Sequence, residues 1–274
     1  MLIAAALSQE QSHFLFLLYV RRPAKAMRIP LKANFAHADN GQLKFTDACA
    51  ILNYILFKTI YLQDKKGVSS MRILNTAEMR LAEAAANERG VSYEQLMENA
   101  GQKAAQYIVS HFSPCRIVFL CGKGNNAGDG LVMARLLTTK GFDCTVSFLC
   151  GESLSPLATL NRERLPKQVK QTVSQQQAID ACKSAELLVD GVFGIGFHGA
   201  LPAEVTAIFE TANRLNAYRI ALDLPSGLNA DTGEFCANAF EAHTTFTFGA
   251  YKPALTMEGC QNLCGKVVCF DIGL

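Results

Sequence analysis

RIVFLCGKGNNAGDG, residues 116 to 130, decides the fold. Arg116 to Cys121 is an apolar run of strand length, a glycine turn follows, and the spacing predicts a helix over Gly130–Thr139. Strand, glycine turn and helix in that order open a βαβ unit. Gly122-Lys-Gly-Asn-Asn-Ala127 formally satisfies GxGxxA, the turn through which dinucleotide folds seat a pyrophosphate. Alone that match is weak. The acidic residue expected after the next strand has only Glu152 as a late candidate, and Lys123 precedes Gly124 rather than Ser or Thr, which excludes the phosphate loop of ATPases. Asp129 would repel a pyrophosphate at that helix start. Asn125, Asn126 and Asp129 instead offer amide and carboxylate groups suited to a hydroxylated ligand or a hard cation. The plainer alternative is a polar turn in which Asp129 caps the helix Gly130–Thr139.

Outward from this stretch, strands and helices alternate. Strands are predicted at Cys144–Cys150, Glu186–Phe193, Arg219–Leu222, Thr244–Phe248 and Lys266–Phe270, with helical patterns at Ala178–Ser184 and Pro202–Leu215. Upstream, Asn75-Thr-Ala-Glu78 reads as a capping box and Ser92-Tyr-Glu-Gln95 as a second capping signal. Such alternation predicts an α/β fold, Rossmann-like and doubly wound: a mostly parallel sheet with helices on both faces. Ligands in these folds bind beyond the carboxyl ends of the strands.

Those ends carry polar residues. Leu187-Leu-Val-Asp190 is followed by Gly191, Gly194, Gly196 and Gly199, a loop shaped around something, with His198 either a base or a solvated clamp. Ile220-Ala-Leu-Asp223 runs into a Pro-Ser-Gly turn at Pro225, Ser226 and Gly227, for which an Asx-type turn is the bland account. A carboxylate after an apolar strand is costly to bury unless paired or coordinated. Two of them on neighbouring strands, at the sheet edge that also bears the amide-rich turn, point to one site. Lys252 is either a cation brought to the same rim or a surface lysine.

The chain has 274 residues, half of them hydrophobic, enough for one large α/β domain. Its net charge of +2 gives no reason to invoke nucleic acid or a membrane surface. The balance is uneven: nine Lys/Arg stand against four Asp/Glu over residues 1–70, and seventeen against twenty beyond. Residues 1–70 show no repeating βα pattern, only apolar runs at Phe14–Val20 and Ile51–Leu62, and read as an extension of unclear role, disordered or translated from a misassigned start. The functional domain is expected over residues 71–274. The first apolar run is too short to span a membrane, and its arginines, Arg21 and Arg22, follow it, unlike a secretory signal. A basic, acid-poor front keeps organelle targeting as an alternative to a cytoplasmic setting. Ten scattered cysteines without a CxxC pair fit small buried thiols in a reduced compartment better than zinc or disulfides.

Taken together and in order, Leu96-Met-Glu-Asn-Ala-Gly101, Gly122 to Gly130, Val189-Asp-Gly-Val-Phe-Gly194, Leu222-Asp-Leu-Pro-Ser-Gly227 and Thr247-Phe-Gly-Ala-Tyr-Lys-Pro253 resemble the NAD(P)H-hydrate epimerase family, also called the YjeF N-terminal domain. The resemblance covers about Met71 to Leu274. It implies an isomerase of nicotinamide cofactor repair, which interconverts the R and S epimers of hydrated NADH or NADPH upstream of an S-specific dehydratase that uses ATP or ADP. It implies a ligand site of Asn125, Asn126, Ala127, Gly128 and Asp129, with Gly194, Ile195, Gly196, Phe197, His198, Gly199 and Ala200 as a second contact loop and Asp223 touching the ligand. It implies a potassium ion on Asn126, Asp190 and Ser226, a hard-oxygen set of the kind alkali cations prefer, and, by analogy, a homodimer. Asp223 is the expected acid–base group, with Asp129 its rival. Ala127 stands where the family has a glycine, which would cost stability if that position needed positive φ. The chain stops after Leu274, near where bacterial relatives continue into a dehydratase domain. The same fold serves as a non-catalytic binding module in other relatives, and that is the alternative function.

Overall fold

The structure, a computed structural model, describes residues 72–274 and two short strands near the start, β1 (Leu2–Ala5) and β2 (Phe16–Tyr19). These two pair antiparallel within a unit spanning Met1–Gly67, separate from the unit Val68–Leu274. The other readings of the front, including the run Ile51–Leu62 and the suggested disorder or misassigned start, fall outside the described residues.

In the second unit the order is α1 (Thr76–Glu88), α2 (Tyr93–His111), β3 (Arg116–Cys121), α3 (Asn125–Thr138), β4 (Asp143–Phe148), α4 (Pro156–Glu163), β5 (Lys170–Thr172), α5 (Gln175–Ser184), β6 (Leu187–Gly191), α6 (Ala203–Arg214), β7 (Tyr218–Leu222), β8 (Thr244–Phe248), α7 (Gln261–Cys264) and β9 (Lys266–Phe270). The seven strands β3 to β9 form one parallel sheet in the order β5-β4-β3-β6-β7-β8-β9. The chain leaves β3 toward one edge through β4 and β5, then returns beside β3 as β6 and proceeds to the other edge. The topological switch point therefore lies between β3 and β6, where such sheets open a crevice.

Burial explains why these strands read as continuous apolar runs. Ile117, Phe119 and Cys121 of β3 enter one core with α2 and α3, while Val118 and Leu120 enter the other with α5 and α6. Leu187 and Val189 of β6 alternate with Leu188 in the same way. A sheet covered on both faces needs apolar residues at every position. Helix α2 packs close to α3 because Gly101 faces Val132: a methyl on Gly101 would lie 2.4 Å from Val132 Cγ1. Asn99 Nδ2 donates to Ile272 O at 2.8 Å, and Glu98 pairs with Arg135 at 2.6 Å, so the 96–101 stretch is a structural clasp between α2, α3 and the residues after β9.

Both helix starts read from sequence are present. Asn75 and Glu78 form a reciprocal capping box at α1, and Ser92 Oγ accepts from Gln95 N at α2. The glycine turn differs from expectation. Helix α3 begins at Asn125, not Gly130, and its N-cap is Gly124. Asp129 is thus inside the helix and caps nothing. Ala127 has helical backbone, and Asp223 is the one non-glycine residue with positive φ among the described residues, so alanine at 127 carries no backbone strain. Helix α4 and strand β5 were not expected: α4 is only eight residues long, too short for its apolar face to stand out, and β5 is three polar or half-exposed residues.

Candidate active site

The turn after β3 brings backbone rather than side chains to the crevice. A methyl on Gly122 would lie 2.1 Å from Val192 O, so only glycine lets this turn approach the β6 loop. Gly124, the N-cap of α3, contributes no side-chain acceptor, and the start of the helix has no side-chain cap. Asn125 Oδ1 accepts from Ser155 Oγ at 2.8 Å. Asn126 differs: its side-chain oxygen and nitrogen are both buried and both lack a hydrogen-bond partner. A buried amide left unpaired costs on the order of 1–3 kcal/mol, so its atoms call for a ligand.

At the tip of β6, Asp190 is fully buried. Its Oδ1 accepts from Val192 N at 3.0 Å and Ser226 Oγ at 2.7 Å, and its Oδ2 from Ser226 N at 2.7 Å. Ser226 Oγ in turn accepts from Phe193 N at 2.8 Å. All these donors are neutral. Burial pushes the Asp190 carboxyl up to about 7, with the Ser226 and Val192 hydrogen bonds opposing the rise. A carboxylate, a hydroxyl and the unpaired Asn126 amide are hard oxygen donors that fit an alkali cation. Among the described residues, no group of three or more His, Cys, Asp or Glu side chains offers a transition-metal site.

At the tip of β7, Asp223 adopts φ 66°, a left-handed conformation that aspartate tolerates better than most residues. Its N–H donates to Phe246 O at 2.6 Å, locking the turn to β8. Its Oδ2 accepts from Ile195 N at 3.2 Å, and its Oδ1 from Lys252 Nζ in a short contact. Lys252 is fully buried and also donates to Thr247 Oγ1 at 2.8 Å and Phe248 O at 3.1 Å. The lysine is therefore neither a surface residue nor a cation open to solvent: it is a fixed counter-charge behind Asp223. A methyl on Gly194 would lie 3.0 Å from Asp223 Oδ2 and 3.4 Å from Asn126 Oδ1, so glycine there keeps both groups accessible.

Two further carboxylates face the same space. Asp129, on α3, is pushed well above the ordinary range by burial, then by the charges of Asp223 and Glu83. Glu83, on α1, is raised by burial and by Asp223, with Lys252 and Arg80 opposing. Helix α1 is fastened over the site: Thr76 N donates to Asp231 Oδ1 at 2.8 Å, Thr76 Oγ1 lies 3.3 Å from Ile195 O, and Leu74 N donates to Tyr251 O at 2.8 Å.

These groups line a cleft of about 650 Å³ at the switch point. Of the expected ligand residues, Asn125, Asn126, Asp129, Gly194, Ile195, Gly196, Phe197 and Asp223 line it. Ala127 is buried in the core, and Gly128 packs against Met97, so these two turn away from the cleft. His198, Gly199 and Ala200 are exposed and lie outside the lining, with His198 Nδ1 3.4 Å from Asn229 Nδ2, which fits a solvated clamp rather than a base. Asp190 and Ser226 lie fully buried outside the lining, joined to it through Phe193. Sequence reasoning missed Glu83 and the apolar end of the cleft, Tyr93, Met97 and Leu157. Glu83 follows Met79 by one helical turn, and that spacing was the available signal. Glu152, the late candidate for a ribose-binding acid, pairs instead with Arg162 at 3.0 Å.

Residues 93–254 match the family described as YjeF-related protein N-terminus. A protein of Leuconostoc citreum named NAD(P)H-hydrate epimerase is 35% identical over 210 residues, an alignment covering 74% of this chain and 91% of that one. A bifunctional NAD(P)H-hydrate repair enzyme, Nnr, from Moorella thermoacetica is 36% identical over 216 residues, of which this chain spans 41% of the length. Among solved structures, the yeast protein ynu0 superposes with a TM-score of 0.60 at 20% identity, covering 73% of this chain and 88% of its own, a likeness of fold.

Proposed function

The chain belongs to the YjeF-related N-terminal family, and from that membership we propose that residues 71–274 form an NAD(P)H-hydrate epimerase, an isomerase that interconverts the R and S epimers of hydrated NADH or NADPH. The observation that carries this reading is the ion-paired Asp223 in a cleft beside an unpaired, buried Asn126 amide. The hydrated ring holds a hydroxyl on a carbon next to the ring nitrogen. The nitrogen lone pair can expel that hydroxyl, giving an iminium that water re-enters from either face. Epimerisation then needs a group to exchange protons with the oxygen and negative charge to stabilise the cation. Asp223 meets both needs: it lines the cleft, and Lys252 and Ile195 N hold its two oxygens in place. Asp129 is the other carboxylate of the expected pair within reach of the same space.

Asn126, Asp190 and Ser226 are the residues that would hold potassium. Bound there, the ion supplies positive charge against Asp190 and anchors anionic ligand groups. The chain's own part is to present the donors: Asp190 and Ser226 are already bonded to each other, and the Asn126 oxygen is free of any protein partner. The reaction that consumes the product is the dehydration of the S epimer, and relatives that carry the name of a bifunctional repair enzyme support that coupling. A homodimer and a cytoplasmic setting remain part of the same reading.

The test is to incubate the protein with the R epimer of hydrated NADH and an S-specific dehydratase with ATP, following the return of NADH absorbance. Recovery beyond the dehydratase alone is expected, and D223N should abolish it while ligand binding persists. Binding without interconversion by the unaltered chain would instead favour a non-catalytic module on the same fold.

A further inference from the structure

Resting on the epimerase reading, we propose that Glu83 is a second catalytic residue, the proton donor to the departing hydroxyl, and that Asp223 accepts the proton of the returning water on the opposite face of the ring. The need for a second group follows from inversion: the hydroxyl leaves one face of the ring and water enters the other. Asp223, its two oxygens held by Lys252 Nζ and Ile195 N, serves one face. The proton for the departing hydroxyl must come from elsewhere in the cleft. Acid and base roles are commonly divided between two carboxylates.

Glu83 has the surroundings of an acid. It lines the cleft, is half-buried, and makes no hydrogen bond or ion pair among the described residues. The groups that act on it come from three elements: Asp223 after β7, Lys252 after β8, and Arg80 on its own helix. Asp129 on α3 feels the Glu83 charge as well. Burial and the Asp223 charge together favour a proton on Glu83, against the two cations. Its location separates it from the rival. Asp129 lies three residues after Asn126 on α3, hence on the same helical face, and Asn126 and Asp223 adjoin each other across Gly194. Asn126, Asp129 and Asp223 therefore belong to one side of the cleft. Glu83 enters from α1, a separate element tied down through Thr76 and Leu74.

The step balances. Glu83 gives its proton to the hydroxyl oxygen as the carbon–oxygen bond breaks, releasing water and leaving the iminium. A water adds to the other face, and its surplus proton passes to Asp223. The substrate has been inverted, with one proton moved from Glu83 to Asp223. The reverse conversion uses the protonated Asp223 as acid and Glu83 as base, and exchange with solvent through the open cleft resets either state.

The experiment follows epimer exchange directly by chromatography, without a dehydratase, for the unaltered protein, E83Q, E83D and D129N, with melting temperature and equilibrium binding of hydrated NADH measured alongside. Glutamine should slow interconversion by about 100-fold or more, the usual contribution of a positioned acid, with melting and binding unchanged. It should also remove the alkaline limb of the pH–rate profile, which in the unaltered protein falls as Glu83 loses its proton. E83D should recover at least a tenth of the lost rate. E83Q turning over within threefold of the parent, or D129N alone showing the 100-fold loss, overturns the assignment to Glu83. An unaltered protein that leaves the epimers unmixed overturns the epimerase reading itself.

Discussion

Replacing Lys252 with methionine removes the counter-charge of Asp223 while keeping an apolar stem of similar length. Lys252 is fully buried, whereas Asp223 is 14% exposed toward the cleft. Deleting one member of a buried ion pair costs about 3–5 kcal/mol, because the survivor is left uncompensated. The two other acceptors of Lys252 keep partners: Thr247 Oγ1 still has Ala250 O at 3.3 Å, and Phe248 O still accepts from Ala250 N at 2.8 Å. Neither adds a penalty, and water in the cleft solvates part of Asp223. The loss therefore falls near the lower bound, about 3 kcal/mol. For a domain of this size each kcal/mol lowers the midpoint by about 2–4 °C, so K252M should melt about 6–12 °C below the parent. The double variant K252M/D223N replaces both charges by neutral groups and should regain at least half of that loss. Thermal unfolding by circular dichroism of the parent, both single variants and the double variant at pH 7 supplies the cycle. K252M within 1 °C of the parent, or a double variant as unstable as the sum of the singles, would refute a buried ion pair as the support of Asp223.

Potassium chloride should raise the melting temperature above that in choline chloride of equal ionic strength, by an amount equivalent to about 2.7 kcal/mol at a hundred times the dissociation constant; differential scanning fluorimetry of the parent against N126A and D190N checks it, since both variants should lose the increment. Without potassium, Asp190 with its carboxyl pushed up to about 7 makes the folded state bind a proton that the unfolded state has already released. Stability should then be greatest at acid pH and decline by up to about 4 kcal/mol as pH rises from about 4 to 7, levelling beyond. Urea titrations across that range should find the decline absent in D190N. Gly122→Ala places a methyl 2.1 Å from a backbone oxygen, and should cost at least about 1–3 kcal/mol in denaturant unfolding. Gly124→Ala meets nothing within 4 Å and should cost less than about 1 kcal/mol.

The sheet was legible where its strands are apolar runs: β3 and β8, buried along nearly their whole length, and the half-buried edge strand β9 show the same bounds in sequence and structure. The start of α3 was not. Asn125, Asn126 and Gly128 are poor helix formers and common turn residues, and local propensity points to a loop there. Tertiary packing overrides it: Ala127 sinks into the core and Gly128 admits Met97, anchoring the first turn. Asp190 and Asp223 were legible as acids ending apolar strands. Lys252 was ambiguous, because a lysine after a strand is normally solvated, and its burial depends on an aspartate 29 residues away in sequence. Glu83 gave the weakest signal: one carboxylate on an amphipathic helix looks like any surface residue until the helix is docked.

The two strand-tip aspartates meet the cost of burial in different ways, and the difference bears on what each can do. Asp223 has an internal ammonium on a covalent tether, with two further acceptors fixing it in place. That charge cannot leave, so the carboxylate keeps its partner whether or not a ligand is present. Asp190 has three neutral donors, which satisfy its oxygens but leave its charge unbalanced. A proton or an exchangeable cation can supply the balance, and on the proposed reading that cation would arrive with, or order itself around, an anionic ligand. A site built from two tethered ion pairs would have neither an unpaired amide at Asn126 nor a reason for one. The tethered pair fits the group that must be ready at every turnover, and the untethered carboxylate fits the group that the proposed potassium ion would balance.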